Sequence, residues 1–77
     1  MSNVYVYEQG AVLGYRENRL IINYSEDDFK SIPIENIENI ILFGGIQVST
    51  ACMQQMLAKG VHLTWLSKTG SYFGRLE

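Results

Sequence analysis

The sequence predicts an α+β domain made mostly of short antiparallel strands, about six or seven of them, around one α-helix at about 50–59. Three observations carry this. Residues 40–66 read as strand, glycine hinge, helix and strand. Residues 4–34 alternate β-branched and aromatic segments with polar turns, and a chain of 77 residues has room for one domain at most.

Val4-Tyr5-Val6-Tyr7 is the first strand, because β-branched and aromatic side chains suit a pleated, half-buried surface, and Gln9-Gly10 turns the chain. Ala11 to Arg16 and Arg19 to Tyr24 follow as strands joined by a tight link at Glu17-Asn18, where Asn18 tolerates a positive φ. Ser25-Glu26-Asp27-Asp28 is a polar turn. Phe29 to Ile34 reads as a fourth strand, placed at an edge or ending early because Pro33 has no N–H to donate. Ile34, Ile37 and Ile40 recur every third residue, the mark of one helical or 3₁₀ turn with Glu35 and Glu38 towards water.

Ile40-Ile41-Leu42-Phe43 is a continuous apolar run, as expected of a strand covered on both faces, and Gly44-Gly45 ends it. The period then changes: Cys52, Met53, Met56 and Leu57 share one side of a helix, with Gln54, Gln55 and Lys59 turned away. Ser49 or Thr50 caps its start; Lys59 and Gly60 suit its end, one by charge and the other by tolerating positive φ. Val61, Leu63 and Trp65 alternate with His62, Thr64 and Leu66, a strand again. Strand, crossover and strand make a βαβ unit with parallel strands. After the polar turn Ser67-Lys68-Thr69-Gly70 a last strand runs through Ser71 to Leu76. Trp65, Phe43, Ile41, Leu63 and Leu57 are the expected core. A strand that stops at Glu77 with no tail reads as a cut inside a longer protein.

Composition narrows the function. Apolar residues make up 47% of the chain and charged ones 18%, which describes a globular chain with an apolar excess that suits a partner surface. The net charge of −2, with acids at Glu26-Asp27-Asp28, Glu35 and Glu38, makes a poor attractor for phosphate. One cysteine excludes an internal disulfide and fits a reducing compartment; Cys52 falls on the apolar side of the helix as a packing residue. With no signal sequence at Met1 and no apolar run near the roughly 20 residues of a membrane span, a cytoplasmic protein without a membrane partner is expected.

Catalytic groups are scarce. His62 is the sole histidine, and Cys52 ten residues before it makes no zinc spacing. Glu35 and Glu38, one turn apart, lack a visible third ligand for a cation. Gly44-Gly45 ahead of a helix is either an anion cradle or a tight strand-to-helix turn, and no Walker lysine follows. Tyr5, Tyr7, Tyr15, Tyr24 and Tyr72, with Arg16, Arg19, Lys68 and Arg75, suit either base stacking or a half-buried sheet face and interface. No catalytic, cofactor or metal residue is assigned.

The runs Phe43-Gly44-Gly45-Ile46-Gln47-Val48-Ser49-Thr50, Leu57-Ala58-Lys59-Gly60-Val61, Trp65-Leu66-Ser67 and Gly70-Ser71-Tyr72-Phe73-Gly74-Arg75-Leu76 resemble one family. It is the N-terminal domain of the CRISPR-associated endonuclease and integrase of spacer acquisition. Tyr5-Val6 with Glu8-Gln9-Gly10-Ala11, and Ile32-Pro33-Ile34 leading into Ile40-Ile41-Leu42, fit the start of the same domain, so the resemblance covers nearly all of residues 1–77. Gly45 stands where an asparagine commonly follows the Phe-Gly pair. The resemblance implies a β-rich domain followed by a helical one whose glutamate, histidine and aspartate hold a divalent metal, magnesium or manganese, and cut and join DNA. None of those positions lies in this chain, and His62 inherits no role.

The resemblance further implies pairing of two protomers as a homodimer, contact with DNA in the full-length protein, and assembly with the second, small CRISPR-associated protein. The expected function is therefore dimerisation and positioning in antiviral spacer acquisition, with the chain itself inactive as an enzyme. The alternative is a stand-alone nucleic-acid-binding β module. Lys68 and Arg75, near the expected exit to the helical domain, are the candidate DNA contacts.

Overall fold

A computed structural model describes residues 2–68 in full and the backbone of Tyr72–Leu76. Strand β1 (Ser2–Val6) is followed by a meander of β2 (Val12–Arg16), β3 (Arg19–Asn23) and β4 (Phe29–Pro33). A 3₁₀ turn (Ile34–Asn36) leads into β5 (Ile37–Phe43), then come β6 (Gln47–Val48), helix α1 (Thr50–Ala58), β7 (His62–Leu66) and β8 (Tyr72–Leu76). The strands form two four-stranded sheets, ordered β1-β5-β7-β8 and β4-β3-β2-β6.

The α+β class is as the sequence predicts, and so is the βαβ unit: β5 and β7 are parallel neighbours, with Ile40 opposite Leu63 and Leu42 opposite Trp65. Parallel pairing goes further than the sequence suggests, because β1 also joins β5 in parallel, while the hairpins β2–β3, β3–β4 and β7–β8 are antiparallel. Strand β6 was not expected. Two residues cannot display a period, yet Gln47 and Ser49 donate their N–H groups to the carbonyls of Ala11 and Leu13, fastening the chain beside β2.

Local chemistry sets the joints. Glu17 (φ 49°) and Asn18 (φ 63°) both adopt the left-handed region that a two-residue hairpin with right-handed twist demands. Pro33 does sit on an edge strand, as a missing donor requires. Arg19 covers part of that edge by donating to the hydroxyl and carbonyl of Ser31. Ser49 caps α1, its Oγ accepting from the Cys52 N–H at 3.1 Å, and Gly60 (φ 75°) takes the left-handed turn at the other end.

The core lies between the sheets. Val6, Ile40, Leu42 and Leu63 enter it from the first sheet, Leu13, Leu20 and Ile22 from the second, and Cys52 and Met56 from α1. This corrects most of the core expected from sequence. Leu63 is fully buried, but Trp65 is half-buried against the core, Ile41 and Phe43 are half-buried on the opposite face of β5, and Leu57 is 42% exposed. An unbroken run of apolar residues carries no parity, so the choice between Ile41/Phe43 and Ile40/Leu42 is made by the partner sheet, which the run does not encode.

Candidate interaction face

Alternation along the strands sends one row of side chains into the core and the other onto the outer face of the first sheet. Register fixes the rows of that outer face. Asn3, Asn39 and His62 form a polar end, with Asn39 Nδ2 donating to Asn3 Oδ1 at 2.9 Å. Tyr5, Ile41 and Thr64 form the middle, and Phe43 and Leu66 the far end. Tyr7, just beyond β1, lies flat against Phe43 with ring centres 4.8 Å apart and 12° between planes, and Tyr5 follows at 6.5 Å. Tyr5 and Tyr7 are 51% and 65% exposed. Among the described side chains the result is an aromatic surface without charge on the outside of the fold, apart from the exposed histidine at its polar end.

Gln9 holds the aromatic end in place. Its Nε2 donates to the carbonyls of Tyr7 (2.9 Å) and Phe43 (2.7 Å), and its Oε1 accepts from the Gly45 N–H at 2.9 Å. One side chain thus ties the ends of β1 and β5 to the glycine hinge. Gly44 has φ 83°, and a Cβ there would collide with the Gln9 amide. The sequence marks Gln9 only as a turn residue, since its partner Phe43 lies 34 positions away. Replacing Gln9 with alanine leaves three backbone groups to water and is expected to cost about 1–2 kcal/mol, read from the urea midpoint, with loss of the ordered ring-current shifts of Tyr7.

Gly44-Gly45 makes a tight turn, not an anion cradle. The Gly45 N–H is taken by Gln9, and the capped helix begins at Thr50, with β6 lying between.

The other residues singled out in the sequence separate into two groups. Glu35, Glu38, Lys59 and His62 border one shallow cleft of about 420 Å³, a convergence not visible from their spacing. Asn18 donates to Glu35 across its rim at 3.5 Å. Among the described residues no three histidine, cysteine or acidic side chains are placed to hold a metal ion. The described residues therefore do not fit the divalent metal that the resemblance implies. Lys68 is exposed at the end of the described segment. The backbone of Arg75 pairs with Thr64, while its side chain lies outside the described residues, as do Thr69, Gly70 and Ser71.

Cys52 is fully buried, and desolvation pushes its thiol up to about 11 from 9.0. The thiolate is disfavoured inside, so the folded chain is expected to resist a thiol reagent at neutral pH and to react fully once denatured. The unfolded thiol ionises first as pH rises through about 9. Stability is therefore intact below that pH and falls between about 9 and 11, as thermal midpoints against pH should show.

The fold and its outer face define a β-rich domain of two four-stranded sheets with an exposed aromatic surface. The family model for CRISPR associated protein Cas1 matches residues 4–77, and the chain belongs to the Cas1 family. A curated relative, CRISPR-associated endonuclease Cas1 3 of Thermodesulfovibrio yellowstonii, is 29% identical over 76 residues, which is 99% of this chain and 23% of the relative. Among solved structures, a Cas1 protein from Thermotoga maritima superposes with a TM-score of 0.85 at 25% identity, over 99% of this chain and 23% of that one. A partial Cas6-RT-Cas1–Cas2 complex contains a chain with the same fold, at TM-score 0.88 and 16% identity, over 97% of this chain and 23% of that one. The chain thus spans about a quarter of the length of these relatives.

Proposed function

We propose that this chain is the pairing and positioning domain of a Cas1 spacer-acquisition protein, a single N-terminal β-rich unit over residues 1–77. The observation that supports this reading best is the exposed aromatic surface of the first sheet. Like-charged surfaces repel when two identical faces meet across a two-fold axis, whereas the aromatic end of this face, Tyr5, Tyr7, Ile41 and Phe43, carries no charge to oppose its own copy. Its size sets the strength. Four strands at 4.8 Å spacing, each about five residues long, cover roughly 19 by 17 Å. That is well short of the ~800 Å² per partner of a standard interface, so pairing by this chain alone is expected in the micromolar range.

In this reading the DNA endonuclease and integrase activity, the divalent magnesium or manganese and its ligands belong to the remaining three quarters of the protein. The pair of domains fixes how far apart two such centres stand. The presence of a Cas1 fold in a complex with Cas2 supports assembly of the full-length protein with that second small CRISPR-associated protein. The cytoplasm is the proposed place of work; no helix among the described residues is long and apolar enough to cross a membrane.

Two measurements test the assignment of chemistry. The purified chain with magnesium or manganese is expected to leave duplex and single-stranded DNA intact; strand cleavage by the chain alone would overturn it. In the full-length protein, Lys68→Ala with Arg75→Ala is expected to lower strand integration several-fold, since each basic group that meets phosphate contributes through counterion release. Unchanged integration would dismiss both residues as DNA contacts.

A further inference from the structure

Where the two sheets part, a second cleft of about 480 Å³ opens between the β1 end and the β3–β4 turn, lined by Tyr5, Tyr7, Glu8, Tyr24, Asp28 and Lys30. Three phenol rings and two carboxylates here face a single ammonium group. No ion pair matches either carboxylate among the described residues; the Arg16–Glu17 pair, at 3.8 Å, is largely in solvent and involves neither. Asp28 is presented from a fixed turn, because its carbonyl accepts from the N–H groups of both Tyr24 (2.8 Å) and Ser25 (3.2 Å) while its own N–H donates back to Ser25. Glu26 and Asp27 add negative charge on the same exposed turn. Tyr24 is half-buried against the core, which anchors one wall.

We propose that this cleft receives an arginine side chain from a partner protein. A guanidinium is flat, so it stacks on phenol faces and forks onto a carboxylate in the same pose; an ammonium does one or the other. Nucleic acid is the less favoured occupant. Bases would find rings to stack on, but each phosphate would approach Glu8 and Asp28 against their charge. The cleft shares Tyr5 and Tyr7 with the pairing face, yet Glu8, Asp28 and Lys30 stand outside that face, so variants at these three separate the two roles.

The experiment is an NMR titration of the chain, following the tyrosine ring resonances, with a short arginine-rich peptide, a lysine-rich peptide of equal length and oligothymidylate at low salt. The arginine peptide is expected to shift Tyr5, Tyr7 and Tyr24 and to bind more tightly than the lysine peptide. Glu8→Gln with Asp28→Asn should weaken it about tenfold, and Lys30→Ala should strengthen it several-fold by removing a like charge. All three side chains are exposed, so these variants keep the fold. Nucleic acid would respond with the opposite signs, losing affinity with Lys30→Ala and gaining it with the acid replacements. That pattern, equal binding of both peptides, or no response of the rings to the arginine peptide would each overturn the proposal. So would ring shifts that appear on concentrating the chain alone and vanish in Arg16→Ala, because the occupant would then be a second copy.

Discussion

Leu42→Ala is expected to lower the stability of the fold by about 2–5 kcal/mol, while Ile41→Ala, its neighbour in the same strand, leaves it nearly unchanged. Leu42 is fully buried between the sheets beside Val6 and opposite Trp65. Removing a side chain from such a site costs about 2–5 kcal/mol, as lost transfer energy plus the cavity left behind. A chain of 77 residues has a total stability of only about 4–12 kcal/mol. The substitution therefore removes from about a sixth of what is available to all of it. Ile41 faces outward and is half-buried, so its truncation forfeits little packing and is expected to cost under about 1 kcal/mol. Urea midpoints for the two variants, measured well below the micromolar range so that pairing contributes to neither, check the contrast. Equal losses would mean that the strand's parity is not the one described.

Tyr7→Ser with Phe43→Ser is expected to weaken self-association by at least tenfold without unfolding the chain. The two rings lie against one another on the outer face, and Tyr7 is 65% exposed, so neither holds the core. Aromatic side chains supply much of the energy of an interface, commonly more than 1 kcal/mol each. A two-fold contact counts every substitution twice, because the same residue stands on both partners. The circular dichroism spectrum should be unchanged while the apparent mass at a given concentration falls. Unaltered association would show that the copies meet elsewhere.

Much of the fold was legible in the chain because its signals are local. Ser49 and Gly60 delimit the helix, Glu17-Asn18 turns the first hairpin, Pro33 marks an edge, and the triad Ile34, Ile37 and Ile40 foretells the 3₁₀ turn. What escaped depends on partners distant in sequence. The parity of β5 is chosen by the second sheet, which is why Ile41 and Phe43 were misplaced in the core instead of on the sheet face that the tyrosines suggested. The exposure of Leu57 has the same origin: the helix rests on β2 and β7 through Cys52 and Met56, a narrower contact than its apolar stripe suggests. Gln9 carries no local pattern at all, since its three hydrogen bonds are defined only once β1 and β5 lie side by side. For the same reason the gathering of Tyr5, Tyr7, Tyr24 and Asp28 in one cleft belongs to the topology and not to any motif.

The histidine and glutamates singled out along the chain border one cleft without forming a ligand set among the described residues, and the thiol is sealed into the core. What the described residues of this Cas1-family chain do offer is a sheet fastened at one end by Gln9, with an exposed aromatic outer face.

Sedimentation equilibrium of the unmodified chain across the micromolar range addresses that claim most directly. Pairing through the outer face of the first sheet gives a reversible monomer–dimer equilibrium with a midpoint in that range; a single monomeric species at every concentration would contradict it.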